Sequence, residues 1–299
     1  MPQGSVLGPL LFLVFINDLP ACFQSPCLVY ADDMKIWRVI QSVDNQDTLQ
    51  GDLDNLTKWA NTWLLPVNIQ KCAYMHIGHE REVGAYHLDG CLLRHTSSER
   101  DLGVIVSRSM KTHENTARVC ARAGGVMGAI RRSFGSLSPS TFLTLFKSHV
   151  RPRLEYCSAA AYPCSKGEMT KLEQVQRRAT KLVQGLNKYS YIDRLSSLKL
   201  FSQNFCRLRG DLITVRKILR GDMGPEIQQF FPLRGNCDRR GHPLTLLKQC
   251  SRRIPAAFRL SRRIVNLWNS LPKTVVQENS DNLFKWNLDV HLEDIWHQD

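Results

Sequence analysis

The chain has 299 residues, 43% of them hydrophobic, with 40 Lys and Arg against 27 Asp and Glu and a formal charge of +13. That length and apolar share exclude a disordered tail and a disulfide-stapled miniprotein, and they fit one large or two ordinary domains. The charge favours a polyanionic partner, nucleic acid or an anionic membrane, without choosing between them.

The charge is unevenly spread. Residues 1–105 carry 7 Lys/Arg against 12 Asp/Glu, net −5, whereas residues 106–299 carry 33 against 15, net +18. An acidic first third beside a basic remainder points to a place that holds cations next to a surface that holds phosphates. The ten Cys are scattered with no CxxC pair, and Cys237 with His242 lacks the second pair that a zinc site needs. A chain of this size needs no disulfide staples, which fits a reducing, intracellular setting in nucleus or cytoplasm.

In chain order, the first element is an apolar run from Val6 to Ile16. It is too short to span a bilayer and has no basic residue ahead of it. It therefore predicts a buried helix ending before Pro20 rather than a signal peptide or anchor. No other run is long enough for a membrane span, and no membrane partner is expected. Residues 27–30 and 35–40 are short β-rich runs around Ala31-Asp32-Asp33-Met34, which predicts a hairpin with an acidic tip.

Residues 46–65 place Leu49, Leu53, Leu56 and Trp63 at helical spacing, with Asp52, Asp54 and Lys58 expected outward. Residues 67–78 and 85–106 read as strands, broken by turn signals at Gly84 and Asp89-Gly90. From about residue 110 the pattern turns helical, over 111–134, 140–150, 168–186 and 201–220. Two shorter helical stretches follow at 254–270 and 282–295, after a loop-rich segment. The chain shows no internal repeat.

Tyr30-Ala31-Asp32-Asp33 is the sharpest local motif. Adjacent carboxylates at a hairpin tip offer hard oxygen ligands suited to Mg²⁺, although an isolated Ala-Asp-Asp is ordinarily a solvated acidic turn. Its context is more specific. Pro2-Gln3-Gly4-Ser5-Val6-Leu7-Gly8-Pro9-Leu10-Leu11-Phe12 precedes it, ending in Ile16-Asn17-Asp18-Leu19-Pro20. Leu53-Asp54 with Trp59 and Trp63, then Pro66-Val67-Asn68 and Lys71-Cys72, follow it, and Glu99-Arg100-Asp101-Leu102-Gly103-Val104 comes next.

These blocks resemble the palm of reverse transcriptases from non-LTR retrotransposons, the last of them the strand pair that grips the primer. Further blocks resemble the thumb and C-terminal region of jockey-type elements. They are Val150-Arg151-Pro152 with Leu154-Glu155-Tyr156, residues 172–181, Arg209-Gly210-Asp211-Leu212, Trp268-Asn269-Ser270-Leu271-Pro272 and Phe284-Lys285. The resemblance covers nearly the whole chain. It implies an α+β fold: a partial palm of antiparallel hairpins and helices over residues 1–108, a helical thumb over 109–190, and a basic helical C-terminal region over 191–299.

Carried over by position, the resemblance makes Asp32 and Asp33 the catalytic and metal-binding pair. Gln3, Gly4, Ser5 and Tyr30 would face the template base and incoming nucleotide, and Lys71 the triphosphate. The implied activity is RNA-directed DNA polymerisation. Its partners are an RNA template, a DNA primer and deoxynucleoside triphosphates, and two Mg²⁺ ions would drive nucleotidyl transfer. Family palms carry a further Asp on a strand ahead of the Gln3-Gly4 block, and fingers ahead of that strand. Met1 directly before Pro2 therefore implies an N-terminally truncated chain with an incomplete metal cage. Oligomeric state stays open.

The basic remainder carries a second expectation. On 168–186, Leu172, Val175, Ala179 and Leu182 form an inward stripe, with Lys171, Gln174, Arg178 and Lys181 on another face. Lys111, Arg118, Arg122, Arg131 and Arg132 decorate the preceding helix. Arg207, Arg209, Arg216, Lys217 and Arg220, then Arg259, Arg262 and Arg263, continue the series. Such charges ordinarily line solvated helix faces, but an excess of 18 implies phosphate contact, with Arg118, Arg122, Lys171, Arg178 and Lys181 as the candidates. Trp268 and Trp286 are candidates for base stacking or core. An alternative to the polymerase is a non-catalytic, nucleic-acid-binding remnant of a mobile element.

Overall fold

The computed structural model describes residues 4–78, 84–235, 242–249 and 254–292. Helices dominate, and every strand belongs to a two-stranded sheet. The chain divides into two compact units, residues 1–99 and 100–299.

In the first unit, α1 (Gly8–Phe15) opens with Pro9 in its first turn, where a missing N–H costs nothing. A 3-10 turn (Leu19–Cys22) leads to β1 (Cys27–Tyr30) and β2 (Asp33–Ile36), which pair antiparallel. The helix α2 (Val43–Thr62) starts at a capping box, in which Ser42 and Asn45 each satisfy the other's backbone N–H. Leu56, Trp59 and Ala60 of α2 meet Ile16, Leu19, Tyr86, Leu88 and Leu93 in the core. After a 3-10 turn (Ile69–Lys71) come β3 (Ala73–Tyr74), β4 (His87–Leu88), β5 (Cys91–Leu92) and β6 (Arg94–His95). β4 and β5 form a hairpin, but β3 pairs parallel with β6. Two-residue strands of that kind leave no readable alternation in a sequence.

Two expectations for this unit are corrected. The apolar run does form a helix, but α1 buries none of its residues: Leu10, Leu11, Leu13 and Val14 are exposed. Only its Phe12 and Phe15 edge leans on the core. Asp52, expected outward, is 1% exposed. Its carboxylate accepts the Gln24 N–H at 2.8 Å and the Ser25 N–H at 3.0 Å, so it ties α2 to the loop before β1. Two charge-assisted bonds to otherwise unpaired amides make Asp52→Ala worth about 2–3 kcal/mol of destabilisation. Urea unfolding followed by Trp fluorescence reads this, and an unchanged midpoint would refute the tether.

The boundary between the units falls inside β7 (Ser98–Asp101), which turns back through Leu102-Gly103 into β8 (Val104–Ser107). The second unit then continues with α3 (His113–Ser133) and α4 (Pro139–Leu145). Pro152 has no N–H to close on the preceding turn, and the helix widens there into a π turn (Phe146–Val150) before α5 (Arg151–Glu155). Next come α6 (Lys166–Thr180), α7 (Tyr191–Leu198) and α8 (Gln203–Arg220). Short helices α9 (Pro225–Gln228), α10 (Ile254–Ala257), α11 (Leu260–Arg263), α12 (Val265–Ser270) and α13 (Lys273–Val276) precede α14 (Asp281–His291). The single helix expected over 254–270 is thus three. The helix α7 was not foreseen, although Ser190 three residues before Asp193 marks its start.

Serines set most of these starts. Ser138, Ser165, Ser190, Ser202 and Ser280 each accept the N–H three residues on. The expected α6 stripe holds: Leu172, Val175 and Ala179 are buried and Leu182 packs against them. They join Ala123, Phe142, Phe146, Leu154 and Leu198 in one core. A second core gathers Leu212, Val215 and Ile218 of α8 with Trp268, Val276, Phe284 and Leu288. Trp268 is 1% exposed and donates its indole N–H to the Leu244 carbonyl, so it is core; Trp286 is exposed.

Candidate functional site

Strand alternation positions the acidic motif. Cys27, Val29, Met34 and Ile36 are half-buried, which leaves Leu28, Tyr30, Asp33 and Lys35 on the outer face. Tyr30 pairs directly with Asp33, so the connection is just Ala31 and Asp32. Ala31 sits at φ 51°, a left-handed conformation that an L-residue adopts at some cost. Asp32 therefore stands at the tip and Asp33 is the first residue of the returning strand. Both are exposed.

The other candidates of this unit lie apart from that pair. Gln3 lies outside the described residues. Gly4 has φ 88°, which favours glycine, and an added Cβ would meet nothing within 4 Å. Ser5 and Lys71 are exposed, Lys71 at the end of its 3-10 turn. Among the described residues, no hydrogen bond or ion pair joins Gly4, Ser5 or Lys71 to Asp32 or Asp33. No group of three His, Cys, Asp or Glu able to hold a metal ion occurs among them either. Asp18 accepts the Trp59 indole N–H at 3.2 Å, a bond that stays within the core of its own unit.

In the second unit, Arg122, Lys171, Arg178 and Lys181 are exposed and Arg118 is half-buried. The helices α3 and α6 that carry them pack together. Burial pushes the Cys120 thiol up, and the charges of Lys171, Arg207 and Arg178 pull against it, so both α6 cations lie near α3. Arg118 is pushed below its ordinary value by desolvation, then by the positive charges of Arg122 and Arg100. Arg100 was not among the candidates. Its signal was its place just before the tight Leu102-Gly103 turn.

Several arginines expected to continue the cationic series point inward instead. Arg207 is 3% exposed and donates to the Leu154 carbonyl. Arg263 clasps the buried Asp211 with two bonds of 2.8 Å. Arg209 pairs with Asp289, and Arg216 and Arg220 with Asp281. His242 is buried, with Nε2 2.9 Å from the Trp268 carbonyl, while Cys237 lies outside the described residues. The outward cations of α3 and α6 are therefore the part of the basic excess best placed for a partner. No described helix is long and apolar enough to cross a membrane.

Comparison with known proteins places these features. Residues 1–116 match the family model for reverse transcriptase (RNA-dependent DNA polymerase), a span that contains the acidic hairpin. The chain is 28% identical, over 62% of its length, to the RNA-directed DNA polymerase from mobile element jockey of Drosophila funebris. It is 26% identical to the Drosophila melanogaster protein of the same name, over the same share. Over a like share it is 23% identical to a probable RNA-directed DNA polymerase from transposon X-element of Drosophila melanogaster. The chain's match covers 22% of the length of these relatives. No solved structure matches it. With the reverse transcriptase pattern on residues 1–116 and jockey-type similarity running well beyond it, the chain belongs to the jockey-like reverse transcriptases of non-LTR retrotransposons.

Proposed function

We propose that the chain is part of an RNA-directed DNA polymerase, in which the β1–β2 hairpin presents Asp32 and Asp33 to the reacting nucleotide. In this reading residues 1–108 are palm, 109–190 thumb and 191–299 a C-terminal region. The outward cations of α3 and α6 hold the RNA template and DNA primer. The observation that carries the reading is the two-residue acidic tip, exposed on a paired hairpin, inside the span that matches the family.

Mg²⁺ suits the chemistry of two carboxylates, but it takes about six oxygen ligands per ion. Asp32 and Asp33 alone do not fit a two-ion cage, and no third acidic, His or Cys partner joins them among the described residues. What the chain's own residues do is therefore limited to presenting negative charge at the tip and gripping phosphates with the α3–α6 cations. Tyr30, beside Asp33 on the outer face, is placed to meet a nucleotide base with its ring, and Gly4, Ser5 and Lys71 are assigned to template and triphosphate.

That shortage of donors favours a second reading, a chain that binds nucleic acid without catalysing. Primer extension on an RNA template, run with the full chain and with Asp32→Ala/Asp33→Ala, separates the two. The polymerase reading expects Mg²⁺-dependent extension that falls by at least about a hundredfold in the double variant, the scale seen when a transition-state charge stabiliser is lost. Extension that survives the double substitution sinks the site. Binding without extension selects the second reading.

A further inference from the structure

The turn between β7 and β8 is held by more than its own backbone. Its two residues, Leu102 and Gly103, have φ of 42° and 88°. Glycine takes such values freely, but leucine is strained there. The Tyr156 phenol donates to the Leu102 carbonyl at 2.7 Å. A Cβ added to Gly103 would lie 3.2 Å from Cε1 of the same ring, so the ring rests on the turn. Tyr156 is 58% exposed, so this ring is held by the turn rather than by a core.

A second tether fixes the returning strand. The Ile105 N–H donates to Oδ1 of Asn115, a residue of α3 that is 6% exposed. Arg118 and Arg122 follow Asn115 on that helix at one-turn intervals, and Arg100 is two residues before Leu102 on β7. The groups acting on the Arg118 charge are Arg122 and Arg100, with no acidic side chain among them. Three guanidinium groups that repel one another gain from an anion, and phosphate matches their forked N–H geometry.

We propose that Tyr156 is a positioning residue, whose lock on the β7–β8 turn holds Arg100 beside Arg118 and Arg122 as a three-guanidinium site for a nucleic-acid phosphodiester backbone. The ligand class rests on the nucleic-acid reading above. The lock, and Arg100 as the third member, are additions to it.

Fluorescence anisotropy with a single-stranded oligouridine, across a salt series and on the full chain, tests the site. Arg100→Gln is expected to weaken binding and to reduce the salt dependence by about one phosphate contact. Lys273→Gln, which removes the same charge from an exposed position on α13, leaves the slope as it was. Tyr156→Phe removes no charge, yet it should weaken binding about fivefold, the equivalent of one hydrogen bond. In the Arg100→Gln background, Tyr156→Phe should add almost nothing, because the two act as one unit. Amide exchange over residues 98–107 should speed up in Tyr156→Phe with the melting temperature unchanged.

Oligouridine affinity unaltered in Tyr156→Phe overturns the lock. A slope for Arg100→Gln equal to that of Lys273→Gln overturns the site. Either leaves the nucleic-acid reading standing, whereas a wild-type chain that fails to bind oligouridine removes that reading and this one together.

Discussion

Asp211→Ala is expected to lower the stability of the second unit by about 3–5 kcal/mol, the range for removing one partner of a buried ion pair. For a unit of this size that is a drop of roughly 6–20 °C in melting temperature. Asp211 is 0% exposed and receives Nε and Nη2 of Arg263 at 2.8 Å each. Arg263 also donates to the Phe258 carbonyl, and to the Ala159 carbonyl at 2.9 Å, and its guanidinium lies 4.2 Å over the Tyr162 ring. Burial pushes the Asp211 carboxyl up and the Arg263 bonds pull it back. The same carboxylate is among the groups that keep the buried Arg207 charged.

The alanine variant therefore leaves two interior guanidinium groups short of a counter-charge, which is why the loss exceeds that of a surface pair. Replacing both partners at once, Asp211→Leu with Arg263→Met, removes the stranded charge and should recover most of the lost stability. Calorimetry of the three variants decides it. An alanine variant melting within about 2 °C of the wild type would show that the clasp carries little.

The pattern behind α6 was readable because the helix is amphipathic over four turns: Leu172, Val175 and Ala179 recur at three- and four-residue spacing and are buried. The hairpin was readable for a similar reason, since two β-rich runs flank a tip too short for anything else. Asp52 was misplaced because helical spacing sorts polar residues outward. Its partners, the amides of Gln24 and Ser25, lie nearly thirty residues away in a loop with no pattern of its own. The exposure of α1 was missed because an apolar run announces a helix, not what covers it.

The arginines failed for the reason Asp52 did. Arg207, Arg209, Arg216 and Arg263 raise the charge count as surface cations do, but their partners lie far along the chain, 80 residues away for Arg209 and Asp289. Net charge overstated the interface for this reason. The residues of the acidic tip were legible from their motif, whereas Arg100 became a candidate only when β8 was seen against α3.

Arg216 offers the sharpest test of that distinction. It is 5% exposed, yet it sits on α8 among residues that read as a basic face. Its Nη1 reaches the Val276 carbonyl at 3.4 Å, and its Nη2 the carbonyls of Glu278 and of Asn279, the latter at 3.3 Å. Its Nε bonds Asp281 at 3.1 Å, and its guanidinium lies 4.4 Å over the Phe284 ring. One planar group thus holds the turn from which α14 starts. Arg216→Gln strands buried carbonyls, and about 3–4 kcal/mol of stability should go with it. Arg216→Lys keeps the charge but not the fork, and should recover less than half of that.

A phosphate-binding arginine behaves in the opposite way: its loss would flatten the salt dependence of RNA binding at unchanged stability. For Arg216→Gln the slope of the folded protein should stay where it was. The acid limb gives a further check. The Arg216 hydrogen bond, with the nearby charges of Arg216, Arg220 and Lys285, holds the Asp281 carboxyl below its ordinary value. The unfolded chain therefore binds that proton more readily than the folded one. The contribution is whole above the ordinary carboxylate range and disappears as pH falls through the lowered folded value. In Arg216→Gln this acid-dependent part of the unfolding curve should shrink. A variant that keeps its full acid dependence and its wild-type midpoint, but loses RNA affinity, would return Arg216 to the nucleic-acid surface.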